Sequence, residues 1–454
     1  MDQKIVDQLT ELLGQDKAST SEGDMYRHSR DESSHPPVEP DVVVFPDSKE
    51  EIVGILSIAR ENDLPVTPFG AGSGLDGHAI PIKKGISINF ERMNRILSFN
   101  PEDLTVTVQP GITRKQLNKS INRHGLQFPV DPGADASIGG MVATNASGTT
   151  AVRYGSMRDQ VLSLEVILAD GTVINTGSRA KKSSSGYNLN GLFVGSEGTL
   201  GIITAITLKL HGIPEHTVTA RCTFKTPGKC AEAAQSILMS GIHVLRMELV
   251  DAPSIRQVNL TGEHSFPEEH SLFLEFSGTE ASAEEDARLT KELVLEHGGE
   301  NWERANSTAE SKELWRARHE LAYSFRHLKG MANSGGDVCV PISQLAEMVV
   351  FARELIDKSG LLGGVFGHVG DGNFHTLVVY DPNNPDQVAA SARINDLVAR
   401  KAIEVGGTCT GEHGVGLGKM KYQELEHGPA LAVMKSIKQV LDPENRLNPG
   451  KIFS

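Results

Sequence analysis

The sequence predicts a globular, loop-rich protein that combines helices with β-sheets. Three observations favour this fold class. With 454 residues, the chain is long enough for two or three domains with large cores. Short runs of β-branched residues alternate along it with helical patterns of apolar residues. A hydrophobic content of 39% together with 46 glycines indicates packed cores that are joined by many turns.

Charge, hydropathy and cysteine content exclude several functions. A formal net charge of −14 argues against nucleic acids and anionic membrane surfaces as partners. The sequence contains no run of 18 apolar residues, so we expect no membrane-spanning helix, and its acidic amphipathic start is unlike a targeting peptide. Its 4 cysteines form no C-x-x-C pattern, which excludes an iron–sulfur cluster held by this chain alone and indicates a reducing compartment. We therefore expect a cytoplasmic protein.

After an N-terminal helix, the chain predicts two short strands with a helix between them. A polar connector over residues 29–40 precedes Val42–Phe45, and this apolar run and Leu64–Thr67 are typical of buried strands. Ser48 opens the intervening helix in capping-box style, and the helix ends near Asn62.

The second strand leads into a glycine loop over residues 69–78. From Gly72 to Gly77 this loop is a literal G-x-G-x-x-G, the dinucleotide-binding pattern. That pattern requires a helix directly after it, whereas Pro81 and a β-rich segment over residues 85–90 follow here. We therefore reject a dinucleotide site. Successive glycine N–H groups can instead form an anion-binding nest; the alternative is a surface loop without a ligand.

Two further segments rich in small residues follow, over residues 131–148 and 193–204. Small residues at this density allow a large flat ligand to approach the backbone closely. The elements between the glycine segments are, in order, a strand over Leu104–Gln109, a helix from Gly111 to about His124, and a hairpin of strands 161–169 and 172–176 that turns at Asp170-Gly171.

The segment over residues 363–380 predicts a β-hairpin with two histidines. Residues 370–373, Gly-Asp-Gly-Asn, supply turn chemistry between two β-branched runs. If Val369 pairs with Phe374, then the two histidines, His368 and His375, are directly opposite each other. Their Cβ atoms would then be roughly 4.5–5.5 Å apart, a separation that lets two imidazoles bind one metal ion.

A third histidine and a carboxylate follow at Glu412-His413, between two glycines. Two histidines and one carboxylate are a common ligand set for a catalytic divalent metal. The alternative is that these are ordinary solvated or hydrogen-bonded histidines, because the chain contains 16 of them.

The glycine segments resemble those of a known flavoprotein family. P-F-G-A-G-S-G at 68–74, the whole of 131–148 and G-S-E-G-T-L-G-I-I-T at 195–204 look like the FAD-contacting segments of the vanillyl-alcohol-oxidase type flavoproteins. Segments of the C-terminal half are similar to one branch, the FAD-linked D-2-hydroxyacid dehydrogenases of the cytochrome-linked D-lactate dehydrogenase and glycolate oxidase flavin subunit type. These segments are L-W-R-A-R-H at 314–319, D-V-C-V-P-I-S at 337–343, G-H-V-G-D-G-N-F-H at 367–375, G-E-H-G at 411–414 and the closing residues 441–453.

This resemblance covers nearly the whole chain and implies an α+β fold. Residues 1–212 would form a two-subdomain FAD-binding domain of the PCMH type. Residues 213–425 would form a substrate and metal domain of the FAD-linked oxidase C-terminal type, an antiparallel sheet with helices on one face. Residues 426–454 would be a tail that returns to the FAD-binding domain.

The resemblance also implies a non-covalently bound FAD. The residues that match FAD-contacting positions are Phe69, Gly70, Ala71, Gly72, Ser73, Gly74, Leu75, Pro132, Gly133, Ala134, Ser137, Ile138, Gly139, Gly140, Thr144, Asn145, Gly148, Glu197, Gly201, Ile202 and Asn448. His78 suggests a covalent flavin link as the alternative, but in relatives with such a link the histidine comes earlier in the glycine loop.

In this family a divalent metal (zinc, manganese or iron) acidifies the substrate hydroxyl. His368, His375 and Glu412 match its ligands, and Cys409 matches nothing in the pattern. His413 matches the general base, and its alternative role is that of a hydrogen-bond donor to the substrate. Arg318 matches the arginine that holds the substrate carboxylate bidentately, whereas we expect Arg316 to be a surface residue.

The implied reaction is oxidation of a small D-2-hydroxy acid, D-lactate first, with hydride passing to flavin N5. Relatives that act on D-2-hydroxyglutarate carry a lysine two residues before the aspartate of D-x-x-x-P. Here that aspartate is Asp337 and the earlier residue is Gly335, so we expect a short monocarboxylate substrate. Arg326, His327 and Lys329, in a stretch with a helical pattern, are the cations that could replace the lysine. The alternatives are a glycolate oxidase flavin subunit with an iron–sulfur partner and a D-2-hydroxyglutarate dehydrogenase.

The sequence does not identify the electron acceptor, which could be a cytochrome, a quinone, an iron–sulfur subunit or an electron-transfer flavoprotein. The assembly considered is a homodimer.

Two other classes of function also stay open. A non-haem iron oxygenase uses the same two-histidine, one-carboxylate set, and a non-catalytic subunit could bind FAD only to position a partner.

Overall fold

The computed structural model describes residues 2–262, 265–325 and 327–453; for Ala317, His319 and Ala322 it describes the backbone only. The chain forms two compact units. The first unit combines Met1–Ser147, Tyr154–Ile213 and Glu412–Ser454, and the second combines Gly148–Arg153 and Pro214–Gly411. Among the described residues, no helix is both long and apolar enough to cross a membrane. The predicted domain boundaries, after residues 212 and 425, stay a prediction.

The helices, in chain order, are α1 (Gln3–Leu13), α2 (Glu22–His28), α3 (Lys49–Glu61), α4 (Arg114–Ile121), α5 (Ile138–Thr144), α6 (Ala151–Tyr154), α7 (Met157–Gln160), α8 (Asn190–Phe193), α9 (Pro227–Met239), α10 (Ala252–Thr261), α11 (Glu280–Glu296), α12 (Thr308–Ser324), α13 (Leu345–Ser359), α14 (Pro385–Glu404), α15 (Gln423–His427) and α16 (Ala430–Leu441).

The strands are β1 (Ala18–Ser19), β2 (Val42–Val44), β3 (Val66–Phe69), β4 (Ile86–Asn89), β5 (Ile96–Asn100), β6 (Thr105–Val108), β7 (Leu126–Gln127), β8 (Val161–Ile167), β9 (Val173–Asn175), β10 (Ile202–Lys209), β11 (His211–Gly212), β12 (His216–Phe224), β13 (Val244–Val250), β14 (His270–Gly278), β15 (Glu300–Arg304), β16 (Ala332–Cys339), β17 (Gly363–Gly367) and β18 (Asn373–Tyr380).

The described part of the first unit contains two main sheets. In the four-stranded sheet β1-β2-β4-β3, the strands β2, β4 and β3 are parallel, and α3 begins at the predicted cap, where Ser48 Oγ accepts a hydrogen bond from the Glu51 N–H at 3.3 Å. The five-stranded sheet β5-β6-β10-β8-β9 is antiparallel. The glycine loop runs from β3 towards β4 without a helix, which confirms that its G-x-G-x-x-G is not a dinucleotide fingerprint.

The small-residue segment over residues 131–148 contains a helix that the sequence patterns did not predict. Ser137 caps α5, since its Oγ accepts a hydrogen bond from the Gly140 N–H at 3.3 Å. Ile138 and Met141 of this helix are buried in the core of the antiparallel sheet. The small residues had suggested an open loop, whereas these two apolar side chains fix a short helix.

The described part of the second unit is built on an antiparallel sheet in the order β15-β12-β14-β13-β17-β18-β16. One face contacts α14, where Asn395 Oδ1 accepts a hydrogen bond from the Thr376 hydroxyl at 2.8 Å. The opposite face carries His375, and there α10 and α12 pack with the sheet in an apolar cluster that includes Trp315 and Phe366. The prediction placed helices on one face of this sheet only, whereas α10 and α12 also cover part of the opposite face.

The register of the histidine hairpin differs from the predicted one. We expected Val369 to pair with Phe374, but β17 ends at Gly367, and Phe366 is the residue that pairs with His375. The prediction of directly opposed histidines is therefore wrong, because His368 lies in the connection after β17.

The cause of this register is β16, on the other side of β18. Cys339 of β16 pairs with Asn373, and the Asn373 side-chain amide donates hydrogen bonds to Asp337 Oδ1 at 2.7 Å and to the Val338 carbonyl at 2.8 Å. These contacts start β18 at Asn373. Because β16 comes much earlier in the chain, turn residues alone could not reveal its effect.

Candidate active site

The two histidines of the hairpin meet although they are not cross-strand partners. Their ring centroids are 5.3 Å apart and the rings are nearly perpendicular, at 86°. A ring nitrogen of His368 and one of His375 lie within 4.8 Å of each other, and both side chains are buried. Two imidazole nitrogens at this separation can bind one metal ion.

A carboxylate lies close to Nδ1 of each histidine. His368 Nδ1 is 2.7 Å from Glu248 Oε1, and His375 Nδ1 is 3.4 Å from Asp337 Oδ1. An ionised carboxylate only accepts hydrogen bonds, so Nδ1 of His368 carries the proton and Nε2 keeps its lone pair for a ligand. Carboxylates in this position are typical of histidines that bind metals.

Glu248 also pairs with Arg318, the predicted substrate arginine. The Arg318 Nε–H donates a hydrogen bond to Glu248 Oε2 at 2.9 Å, and Arg318 Nη2 lies 2.7 Å from the same oxygen. Burial of the Glu248 carboxyl would raise its pKa, but its interactions with His368 and Arg318 outweigh burial and lower the pKa to about 2. Arg316 is exposed and pairs with Glu313 at 2.8 Å, as expected of a surface residue.

Asp337 fixes the loop that leads to Glu412. Its Oδ2 accepts hydrogen bonds from the Thr410 hydroxyl and the Gly411 N–H, both at 2.8 Å. The aspartate behind His375 therefore also holds the residue directly before Glu412. Cys409, in the same loop, is buried.

Glu412 and His413 belong to the first unit, and both are half-buried. Glu412 Oε2 accepts a hydrogen bond from the Ser147 hydroxyl at 2.9 Å. After them, the Val415 and Gly416 N–H groups donate to the two carboxylate oxygens of Glu197, at 2.7 and 2.9 Å. Glu197 has a φ of +53°, an uncommon conformation for a residue with a side chain. The predicted FAD contact of Glu197 stays a prediction; its hydrogen bonds show that it holds the loop that follows Glu412 and His413.

The predicted FAD-binding residues lie in the first unit, with the exception of Gly148. In the part of the chain that is described, the N–H groups of residues 70–75 donate no hydrogen bond to a protein acceptor, so they are available to an anion. A Cβ atom at Gly70 would overlap Ser137 Oγ, which shows that the first two glycine segments pack directly together. These features fit the phosphates and the flat ring of an FAD.

The C-terminal tail contacts the end of the glycine loop through Asn448. The Asn448 side-chain amide donates hydrogen bonds to the carbonyls of His78 and Glu197, at 3.0 and 2.8 Å. His78 itself is buried, with Nε2 3.6 Å from Glu197 Oε1.

The sequence patterns missed Glu248. It lies in β13, in the apolar alternation Val244-Leu-Arg-Met-Glu-Leu-Val250, and is completely buried. A carboxylate inside such a strand is costly to bury unless it is paired. The charged residue in an apolar strand was therefore the signal that could have identified Glu248. The sequence could not show which residues pair with Glu248.

Two family models match the chain. The FAD binding domain matches residues 40–177, and the C-terminal domain of FAD linked oxidases matches residues 213–452, more than half of the chain. The chain belongs to the FAD-linked oxidases.

Curated relatives match this oxidase over almost its whole length. It is 44% identical to a probable mitochondrial D-lactate dehydrogenase from Danio rerio, over 99% of this chain and 92% of the relative. It is 43% identical to the mitochondrial D-lactate dehydrogenase (cytochrome) of Arabidopsis thaliana, over 99% of this chain and 80% of the relative. The glycolate oxidase subunit GlcD of Bacillus subtilis (strain 168) is 33% identical, over 99% of this chain and 97% of the relative.

Solved structures of low identity confirm the fold of this oxidase. p-Cresol methylhydroxylase with substrate bound superimposes with a TM-score of 0.79 at 19% identity, over 99% of this chain and 96% of that chain. The 4-ethylphenol oxidase from Gulosibacter chungangensis gives a TM-score of 0.80 at 18% identity, over 99% of this chain and 97% of that chain. The predicted α+β fold with a PCMH-type FAD-binding domain is therefore confirmed.

We expect the purified oxidase to carry FAD without a covalent link. The reason is that the N–H groups of residues 70–75 are available to the cofactor, whereas His78 is buried beside Glu197. Absorbance of the yellow protein, followed by acid precipitation, tests this expectation, because a non-covalent flavin stays in the supernatant. A colourless protein that takes up no FAD would contradict the cofactor, and flavin in the pellet would contradict the non-covalent link.

Proposed function

We propose that this oxidase is an FAD- and divalent-metal-dependent dehydrogenase that oxidises D-lactate to the corresponding 2-oxo acid. One observation carries the proposal: the buried carboxylate of Glu248 contacts both His368 and Arg318. A histidine can bind a metal ion, and an arginine can bind a carboxylate. An α-hydroxy acid needs both groups at one place. The names of the relatives from Danio rerio and Arabidopsis thaliana support D-lactate as the substrate.

We assign the metal to His368, His375 and Glu412. The two buried imidazoles, each backed by a carboxylate, support the first two ligands. For Glu412 the support comes from its neighbour, because the Gly411 N–H is hydrogen-bonded to Asp337, the carboxylate behind His375. Consecutive Cα atoms are only about 3.8 Å apart, so this anchor limits where Glu412 can be. Zinc, manganese and iron all accept these ligands.

When bound, the flavin supplies the hydride acceptor and the metal supplies a Lewis acid that lowers the pKa of the substrate hydroxyl. The residues of the chain provide orientation and proton transfer. Arg318 holds the substrate carboxylate, which fixes the face of Cα that is oxidised. Its guanidinium has five N–H donors, so the contact with Glu248 leaves donors for this task. His413 takes the hydroxyl proton as the general base.

The surroundings of Gly335 support a short substrate. Gly335 is exposed in β16, two residues before Asp337 and on the same face of the strand. The nearest atom to a Cβ built there is the Thr376 carbonyl oxygen, at 3.9 Å, so no cation occupies this position. Two of the cations proposed as substitutes, His327 and Lys329, follow the end of α12 at Ser324 and do not lie in a helix. His327 and Lys329 are exposed after it, and Arg326 is outside the described residues.

We therefore expect kcat/KM for D-lactate to exceed that for D-2-hydroxyglutarate by at least tenfold. The second carboxylate would lose part of its hydration without gaining a cation at Gly335, and each ~1.4 kcal/mol of lost binding is a factor of about 10. Steady-state kinetics with both acids measures the ratio. The Gly335→Lys variant serves as the matched gain-of-function test. Its added cation should improve kcat/KM for D-2-hydroxyglutarate and so lower the preference for D-lactate. Equal or better use of the dicarboxylate by the unmodified protein would show that another cation lines the pocket.

A glycolate oxidase flavin subunit is the second candidate, supported by the name of the Bacillus subtilis relative. Anaerobic flavin bleaching with a panel of D- and L-2-hydroxy acids separates the two substrates, and bleaching by any of them excludes a non-catalytic subunit. A cytochrome is the first acceptor to test, given the name of the Arabidopsis thaliana relative; a quinone, an iron–sulfur subunit and an electron-transfer flavoprotein follow. A homodimer and a cytoplasmic location remain part of the proposal.

A further inference from the structure

The buried carboxylate of Glu248 is shared between two residues that the proposed chemistry needs. Oε1 faces His368 Nδ1 at 2.7 Å, and Oε2 faces both Nε and Nη2 of Arg318, at 2.9 and 2.7 Å. The Glu248 side chain is completely buried. Each of its oxygens therefore has a different partner, and water does not compete for either contact.

This arrangement differs from an ordinary ion pair inside a sheet. Glu275, on the neighbouring strand β14, is also buried, but it is 3.4 Å from Arg246, a residue to which we assign no chemistry. A single arginine would suffice to keep a buried glutamate charged. Glu248 instead divides its two oxygens between an arginine of α12 and the histidine that follows β17. A structural role alone does not require this division.

The consequence for His368 is a fixed tautomer and a fixed ring plane. The hydrogen bond at Nδ1 keeps the Nε2 lone pair available and limits rotation of the ring. For Arg318, the contacts at Nε and Nη2 fix the plane of the guanidinium, so that its remaining N–H groups have a constant direction. Loss of the carboxylate would release both side chains at the same time.

We propose that Glu248 is a positioning residue that orients the metal ligand His368 and the substrate-binding Arg318 together. The inference rests on the proposed function, and it adds to it a residue that matches no motif used to identify the family. Glu248 touches neither substrate nor metal; it acts through its two partners. Removing its charge should therefore weaken metal binding and substrate binding without loss of flavin.

The Glu248→Gln variant tests this proposal, with Glu275→Gln as the matched control for a lost buried charge. Mn²⁺ affinity of the FAD-loaded protein, measured by calorimetry without substrate, should fall by roughly 10–100-fold in Glu248→Gln, the usual scale for a residue behind a metal ligand. It should stay within about twofold in Glu275→Gln. KM for D-lactate should also rise in Glu248→Gln only. FAD content and unfolding midpoint show that each variant is folded, and Glu248→Asp, which keeps the charge, is the second variant if Gln disrupts folding.

Combined variants separate the effect of Glu248 on His368 from its effect on Arg318. In a His368→Ala background, Glu248→Gln should weaken Mn²⁺ binding no further, and in an Arg318→Gln background it should raise KM no further, because partners in one network are not additive. Mn²⁺ affinity and KM of Glu248→Gln equal to those of Glu275→Gln would overturn the proposal. An unmodified protein that binds no divalent metal would instead overturn the proposed function, and this inference with it.

Discussion

Turnover of D-lactate is expected to fall by roughly 10²–10⁴-fold when His413 is replaced by alanine, the usual scale for loss of a general base. FAD and metal should stay bound, because His413 is not among their assigned ligands. The neighbouring Glu412 keeps its hydrogen bond from Ser147, and Glu197 still holds Val415 after the substitution. Steady-state kcat, flavin absorbance and metal content are the measurements.

A second substitution separates the two roles considered for His413. Asparagine can donate a hydrogen bond to the substrate but cannot act as a base near neutral pH. His413→Asn should therefore be as slow as His413→Ala if the residue is the base, and within about tenfold of the unmodified protein if it is only a donor. The matched control is His427→Ala, at the end of α15 in the same unit. A loss below tenfold in both His413 variants would exclude a catalytic role.

Glu412→Gln is expected to lose the divalent metal and retain FAD. The amide keeps the shape of the side chain and can still accept the hydrogen bond from Ser147, but it removes the negative charge. Because we assign Glu412 as a direct ligand, metal affinity should fall by more than the roughly 10–100-fold typical of a residue behind a ligand. Elemental analysis after dialysis, together with the flavin spectrum, gives both occupancies.

The matched control for this variant is Glu426→Gln. Glu426 lies in α15 of the same unit, close to His427 at 3.8 Å, and has no assigned role. It should keep both metal and flavin. Unchanged metal content in Glu412→Gln would remove this residue from the ligand set, and loss of flavin would show that the substitution disturbs the first unit as a whole.

Local patterns predicted those parts of the fold that depend on neighbouring residues. Ser48 caps α3 as expected, and the hairpin turn at Asp170-Gly171 joins β8 to β9, with Gly171 at a φ of +90°. The absence of a helix after Gly77 could be predicted because Pro81 and a β-branched run follow at once. In each case the residues that decide the structure are close in the chain.

The parts that could not be predicted depend on distant residues. The register that places Phe366, and not His368, opposite His375 depends on β16. The network around Glu248 joins side chains from three separate elements, and no spacing rule connects them. The prediction that His368 and His375 are neighbours is nevertheless confirmed by their ring separation of 5.3 Å, because the turn of the hairpin brings the two residues together in either register. Their role as metal ligands stays a prediction.

The discontinuity of the first unit has a consequence for its synthesis. β3 is the last strand of its sheet, and its open edge is completed by the tail: the Val66 N–H donates to the Arg446 carbonyl at 2.9 Å, and the Asn448 N–H donates to the Val66 carbonyl at 2.8 Å. Arg446 also reaches the Ala59 carbonyl, 387 residues earlier in the chain. At roughly 5–20 residues per second, a ribosome needs about 20–80 s to cover that distance. During this time the edge of β3 is unpaired and open to other chains, and all residues of the second unit are made within the same interval, before the tail.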